Sequence, residues 1–313
     1  MLISPPFGGG RAPVLARNTV ASSQPLATQA GIEALQNGGN AVDAALATAI
    51  TLTVVEPTMN GLGGDGFAIL WDGKKLHGLN ASGRAPAAWT PEYFAGKSAM
   101  DLIGWNTVTV PGMVSGWIEL SRKFGKLPFA QLFKRAIDYA ENGFPVSPVI
   151  ARQWREAIPI LKNQPGFTES FLIDGKAPQA GQIWKYPAQA KTLKEIAATE
   201  GQSFYKGALA QSMVDFAKAS GGSFTMQDFA DNKPDWVEPL AFDYGEYTLH
   251  EIPPNGSGIA AQIALGILEA ANVKQYPANS AQRIHLQVEA MRIAFADAYE
   301  YVSDARSMTL QIG

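Results

Sequence analysis

The 313-residue sequence predicts a fold that mixes α-helices with β-strands. Three observations predict it. Apolar residues make up 46% of the chain and charged residues 17%, which supplies a large core and leaves little material for disorder. Ile284, Val288, Met291, Phe295, Ala298 and Val302 recur at alternating steps of four and three, the period of a helix over about 281–302. Phe67–Trp71 and Lys75–Asn80 flank Asp72-Gly73, a turn pair that signals a β-hairpin. With no repeat, charge run or low-complexity linker between two halves, residues 1–313 read as a single domain.

The elements follow in order. Val20–Ser23 is a short strand candidate, and Pro25 opens a helix to about Asn37. Gly38-Gly39 ends that helix, supplying the left-handed backbone of a C-terminal cap. Asn40 caps the next helix, with Asp43 three residues on, where a carboxylate suits the helix dipole. From Ala41 to Val55 this helix is apolar or Thr except at Asp43, and a helix of that kind must be covered on all sides. The run falls short of the ~20 residues of a membrane span, so it reads as a buried helix. After the hairpin, Pro111 begins a helix with Trp117, Leu120 and Phe124 at helical spacing, stopped by Gly125. Another runs from about Phe129 to Asn142, closed by Gly143; the Pro-rich stretch 145–181 carries no clear pattern. Helices resume near Ala188–Thr199, Ala208–Ser220 and Gly258–Ala271, with strand candidates at Trp236–Phe242 and Tyr247–Ile252.

Composition excludes much chemistry. The absence of Cys removes disulfides, thiolate zinc sites, iron–sulfur clusters and a Cys nucleophile. The three His (His77, His250 and His285) would all be needed for an all-His metal site, so no metal and no cofactor is expected. At 25 Lys+Arg against 28 Asp+Glu, the net charge of −3 offers no general attraction to nucleic acid or anionic lipid. Pro5, Pro6 and Gly8–Gly10 interrupt any apolar leader, so the chain reads as cytoplasmic, or as periplasmic or secreted if a leader is removed.

Gly61-Leu62-Gly63-Gly64-Asp65-Gly66 contains the letters of a dinucleotide-binding fingerprint, which requires a strand before it and a helix after it. Here the order is reversed, so Gly63 and Gly64 are expected to serve close packing and positive φ in a turn instead. His285 and Glu289 share a helix face but lack a third ligand, and a Glu289–Arg292 pair on a polar face accounts for them. Pro253-Pro254-Asn255-Gly256-Ser257-Gly258 precedes a helix and reads as a capped turn rather than an anion site. Arg84, in Ser82-Gly83-Arg84-Ala85-Pro86, follows a hairpin strand at a Gly–Pro corner, where a guanidinium can project toward a cleft and take a carboxylate bidentately.

Together these segments resemble the large subunit of the gamma-glutamyltransferase family, of the N-terminal-nucleophile hydrolases. The matching residues are Gly38-Gly39-Asn40-Ala41-Val42-Asp43-Ala44-Ala45, Val55-Glu56-Pro57 and Gly61–Phe67, then Val110-Pro111-Gly112 with Gly116, and Ala140-Glu141-Asn142-Gly143-Phe144. Phe204-Tyr205-Lys206-Gly207, Gly221-Gly222, Thr225, Asp228, Pro253-Pro254 with Ser257-Gly258, and the His285–Asp304 region complete an ordered series across nearly the whole chain. The resemblance implies an α+β fold, a four-layer αββα sandwich completed by a second, small subunit cut from the same precursor. It implies that the nucleophile is an N-terminal Thr of that small subunit, activated by its own α-amine. An acyl-enzyme then forms, which water or an amine acceptor resolves. The family's oxyanion donors also lie on the small subunit, so no catalytic residue is expected in this chain. Implied substrates are gamma-glutamyl or similar carboxylate-bearing acyl amides; a catalytically silent binding or scaffold homologue is the alternative.

One segment departs from the family. Transferases carry an Asp-x-Arg-Glu-x-Ala-Pro stretch whose Arg clamps the glutamyl carboxylate. Counting back from Ala85-Pro86, Ser82 holds the Arg position and Arg84 lies two residues later. That offset is about 6–7 Å of extended chain, enough to re-aim the head group. Either Arg84 takes over by a different loop path, or glutamyl recognition is altered. The departure favours a hydrolase or acylase similar to family members acting on acylated β-lactam side chains.

Overall fold

A computed structural model describes residues 14–308; Pro5, Pro6 and Gly8–Gly10 lie outside the described residues. In chain order the elements are α1 (Pro25–Gln36), α2 (Ala41–Val55), β1 (Gly66–Trp71), β2 (Leu76–Ala81), α3 (Met113–Phe124), α4 (Lys134–Asn142), β3 (Phe144–Pro145) and α5 (Pro148–Leu161). They continue with α6 (Phe167–Phe171), β4 (Ile183–Trp184), α7 (Pro187–Ala198), α8 (Gln202–Lys206), α9 (Ala208–Ser220) and α10 (Met226–Asp231). The last are β5 (Asp235–Val237), β6 (Leu240–Tyr244), β7 (Tyr247–Glu251), α11 (Ile259–Ala270) and α12 (Ala281–Tyr301). The chain forms two compact units, each from two stretches of sequence: 1–61 with 120–198, and 62–119 with 199–313.

In the first unit α1 packs on α2 through Ala30, Ala34 and Ala47, small residues that let the two backbones approach. Asn40 caps α2 as expected, and Asp43, placed in the sequence only for the helix dipole, closes a capping box with it. Fully buried, Asp43 also accepts from the backbone N–H groups of Lys126 (3.0 Å) and Leu127 (3.2 Å), so one carboxylate caps a helix and ties down a distant turn. The hydroxyls of Thr48, Thr51 and Thr53 donate to the carbonyls of Ala44, Ala47 and Ile50, which explains how three polar side chains stay buried in α2. Among the described residues α2 is not covered on all sides: Ala41 and Ala45 are exposed, and Ala49 and Leu52 half-buried. Val20–Ser23 is not a strand, because its polar groups serve the start of α1, where the Ser22 hydroxyl donates to the Gln24 carbonyl at 2.9 Å. The Pro-rich middle holds α5 and α6, built around buried Trp154, which meets Trp184 edge-on at 4.9 Å.

In the second unit the predicted hairpin is present. β1 and β2 pair antiparallel from Gly66↔Ala81 to Trp71↔Leu76, and β5 adds to the other side of β2 through Asn80↔Asp235. The expected strand at Trp236–Phe242 is split: Pro239 has no N–H to give a ladder, so β5 ends at Val237 and β6 starts afresh in a separate hairpin with β7. In this three-stranded sheet β1 is an edge. Its outward residues Phe67, Ile69 and Trp71 are 46%, 41% and 59% exposed.

α11 and α12 pack through Ala260, Ala264 and Leu268 against Ala290, Ala294 and Ala298. Leu286 also packs there, but most longer apolar side chains of α12 face outward, with Ile284 51%, Val288 52% and Tyr299 84% exposed.

Candidate substrate-recognition site

The hairpin delivers the candidate site. β2 ends at Ala81, and the chain turns through Ser82 and Gly83 (φ +86°) before Arg84. A Cβ on Gly83 would fall on the Val110 carbonyl oxygen, and one on Gly112 on the Ala81 carbonyl, so these two glycines let two main-chain segments touch. Gly63 has open space around it, contrary to the packing role expected for it, and neither Gly63 nor Gly64 is among the glycines with positive φ, contrary to the backbone expected for both. The loop Gly61–Gly66 does follow a helix and enter a strand, the reverse of the dinucleotide order.

The Arg84 loop is held at two points. Its carbonyl accepts from Val110 N–H at 2.9 Å, and Ala87 N–H donates to Asp228 Oδ1 at 2.8 Å. The other oxygen of Asp228 accepts from the backbone and hydroxyl of Thr225, both at 2.7 Å, closing a capping box at α10. Asp228 therefore anchors both a helix start and the loop of the candidate clamp. Below the loop lies a buried polar contact, in which the Tyr205 hydroxyl donates to Pro111 C=O at 2.7 Å and accepts from Ser115 N–H at 2.8 Å. Burial pushes this phenol up to about 12.

Ser82 and Arg84 lie on one loop but engage different neighbours. Ser82 Oγ accepts from Asn255 Nδ2 at 3.0 Å, and Asn80 Nδ2 donates to Asn255 Oδ1 at 2.7 Å, so the turn before α11 is stitched to the end of β2. Arg84 Nη2 reaches Asp235 Oδ2 at 2.5 Å, with Arg84 32% and Asp235 50% exposed. The β2–β5 register puts Asp235 beside Asn80, one strand over from the loop. Asp304 stands nearby: its carboxyl is lowered to about 2, chiefly by the Arg306 hydrogen bond, with the Arg84 charge contributing. Neither Asp235 nor Asp304 could be read as a neighbour of Arg84 from sequence; 151 residues separate Arg84 and Asp235, and only the strand register joins them.

The same unit holds a cavity of about 380 Å³ lined by Trp105, Val108, Pro111, Met213, Phe216 and Phe224. Trp105 meets Phe224 edge-on at 5.8 Å and is anchored by Nε1 to Ser220 Oγ at 3.0 Å. The unit thus holds a guanidinium, a carboxamide–hydroxyl cluster and an apolar recess. Among the described residues no group of three His, Asp or Glu is placed to hold a metal ion. Arg292 Nη1 pairs with Glu289 at 2.9 Å, while His285 is exposed. No described helix is long and apolar enough to cross a membrane.

A family model described as gamma-glutamyltranspeptidase matches residues 27–312. The glutathione hydrolase-like YwrD proenzyme of Bacillus subtilis (strain 168) is 36% identical over 291 residues, which cover 92% of this chain and 55% of that protein. The cephalosporin acylase of Bacillus halodurans superposes with a TM-score of 0.86 at 42% identity, over 97% of this chain and 60% of that one. The gamma-glutamyltranspeptidase of Pseudomonas nitroreducens complexed with L-DON superposes with a TM-score of 0.87 at 34% identity, over 95% of this chain and 90% of that one. The fold class is the α+β, N-terminal-nucleophile hydrolase type expected from the sequence. The chain spans about half the length of the curated relatives it matches.

Proposed function

The chain belongs to the gamma-glutamyltranspeptidase family, and on that premise we propose that it is the large-subunit portion of a self-cleaving amide hydrolase or acyltransferase. The nucleophile in this reading is the N-terminal Thr of a second subunit from the same precursor. Its hydroxyl attacks the substrate amide while its α-amine takes the proton, the leaving amine departs, and water or an acceptor amine releases the acyl group. This chain contributes recognition: Arg84 takes a carboxylate on the acyl group, and the recess beside Trp105 takes its apolar part. Glutamyl amides and other carboxylate-bearing acyl amides share that chemistry. Proenzyme relatives named as glutathione hydrolases and as acylases support the breadth of this class.

The observation that carries the two-subunit reading is the bare edge and face of β1. A strand with one edge unpaired among the described residues and three large apolar side chains in solvent is an invitation to aggregation unless something covers it. A second chain covers both. The outward stripe on α12 supports the same reading. The test is expression of the longer precursor in which this chain is continued by a Thr-led segment. Two bands on a denaturing gel, with amidase activity, are expected; one uncleaved band without activity would identify a silent homologue and overturn the proposal.

A further inference from the structure

We propose that Asp235 is a specificity-determining residue, a carboxylate built into the chain that competes with the substrate carboxylate for Arg84. The inference rests on the reading of Arg84 as the clamp. A guanidinium takes a carboxylate bidentately through one of two edges, Nη1/Nη2 or Nε/Nη2, and Nη2 belongs to both. Asp235 Oδ2 sits on that shared nitrogen at 2.5 Å. One edge is therefore occupied, and the other is flanked by the negative charge of Asp235. The competitor is tethered: the β2–β5 register fixes Asp235 opposite Asn80, so a free carboxylate must displace an intramolecular one whose effective concentration never falls. Asp304 adds to the negative charge around the guanidinium, but its own oxygens are engaged by Arg306. Asp235 thus sets a threshold. Donors with a well-aligned carboxylate displace it, and weak or misaligned anions do not.

The test uses the mature two-subunit enzyme and a matched pair of donors, one with the acyl carboxylate and one with a methyl group in its place. Asp235→Asn keeps the shape and removes the charge. It is expected to lower KM for the carboxylate donor about 2- to 5-fold, the worth of an exposed ion pair. It should leave kcat and the KM of the methyl donor unchanged. In an Arg84→Ala background the same substitution should do nothing. Asp243→Asn, which removes a charge from β6, is the control for net charge and should leave the KM ratio alone. If Arg84→Ala raises KM for the carboxylate donor but Asp235→Asn leaves the donor ratio unchanged or raises it, competition by Asp235 is wrong while the clamp stands. If Asp243→Asn matches Asp235→Asn, the effect is bulk charge and the proposal is also wrong. If Arg84→Ala leaves the ratio unchanged, the clamp reading fails and this inference with it.

Discussion

Tyr205 ties Pro111 to Ser115 and makes the fold sensitive to high pH. Its hydroxyl bridges Pro111 and Ser115, and burial raises its ionisation from the ordinary 10 to about 12. In the unfolded chain the phenol loses its proton near 10, whereas in the folded chain it keeps it. The contribution is therefore intact below pH 10 and is lost as pH rises from 10 to 12, by on the order of 2 kcal/mol at the upper end. Urea midpoints measured at pH 8, 10, 11 and 12 should fall more steeply for the native chain than for Tyr205→Phe. Parallel curves would show that the phenol does not titrate in this way. The same scale marks what sequence can reveal about the site. Arg84 stands out because it follows a hairpin strand at a Gly–Pro corner, a local pattern. Its counter-ion Asp235 and the loop anchor Asp228 are set by long-range strand register and helix capping, which no local pattern records.

At the scale of elements, glycine is the sharpest case. A Gly-rich loop draws attention in the sequence, yet Gly63 has free space around it, while the single Gly83 sits at φ +86° against the Val110 carbonyl. Gly83→Ala should cost a few kcal/mol, since it combines backbone strain with a clash against main chain. Gly63→Ala should change stability by less than about 0.5 kcal/mol. Thermal or urea unfolding of the two variants checks this, and equal losses would contradict the packing described. Most helix limits were legible because their signals are local: Asn40 with Asp43 starts α2, Gly143 stops α4, and Pro25 opens α1. Val20–Ser23 misleads because one β-branched residue ahead of a helix says nothing about a neighbouring strand to pair with. The split at Pro239 shows the reverse, a single residue without an N–H outweighing the apolar character around it. α5 hid behind its prolines, although Pro148 occupies its first turn, where no N–H is needed, and Pro159 falls in its last turn.

For the whole molecule, the exposed face of β1 makes opposite predictions, on the proposed two-subunit reading, for the short chain and for a longer precursor. Trp71→Lys places a charge on an unpaired apolar edge. Expressed as the 313-residue chain, the variant should be more soluble than the native sequence, because edge-to-edge association is discouraged. Placed in the longer precursor, the same change should slow or abolish self-cleavage by weakening the seat of the second segment. Sedimentation of the short form and gel analysis of the long form read the two effects. A variant that is neutral in both would separate the β1 face from assembly.

The inverted dressing of α12 carries a consequence for sequence drift. Ala290, Ala294 and Ala298 are trapped between helices, and its bulky Ile, Val, Met and Phe stand in the open. Two clocks therefore run on one helix. The alanine positions answer only to α11 and tolerate no enlargement, whatever surrounds the protein. The outward positions answer only to whatever covers them, and a lineage that lost that cover would be free to turn them polar within the same helix. Reading the two stripes separately would date the end of an association that the helix itself would survive.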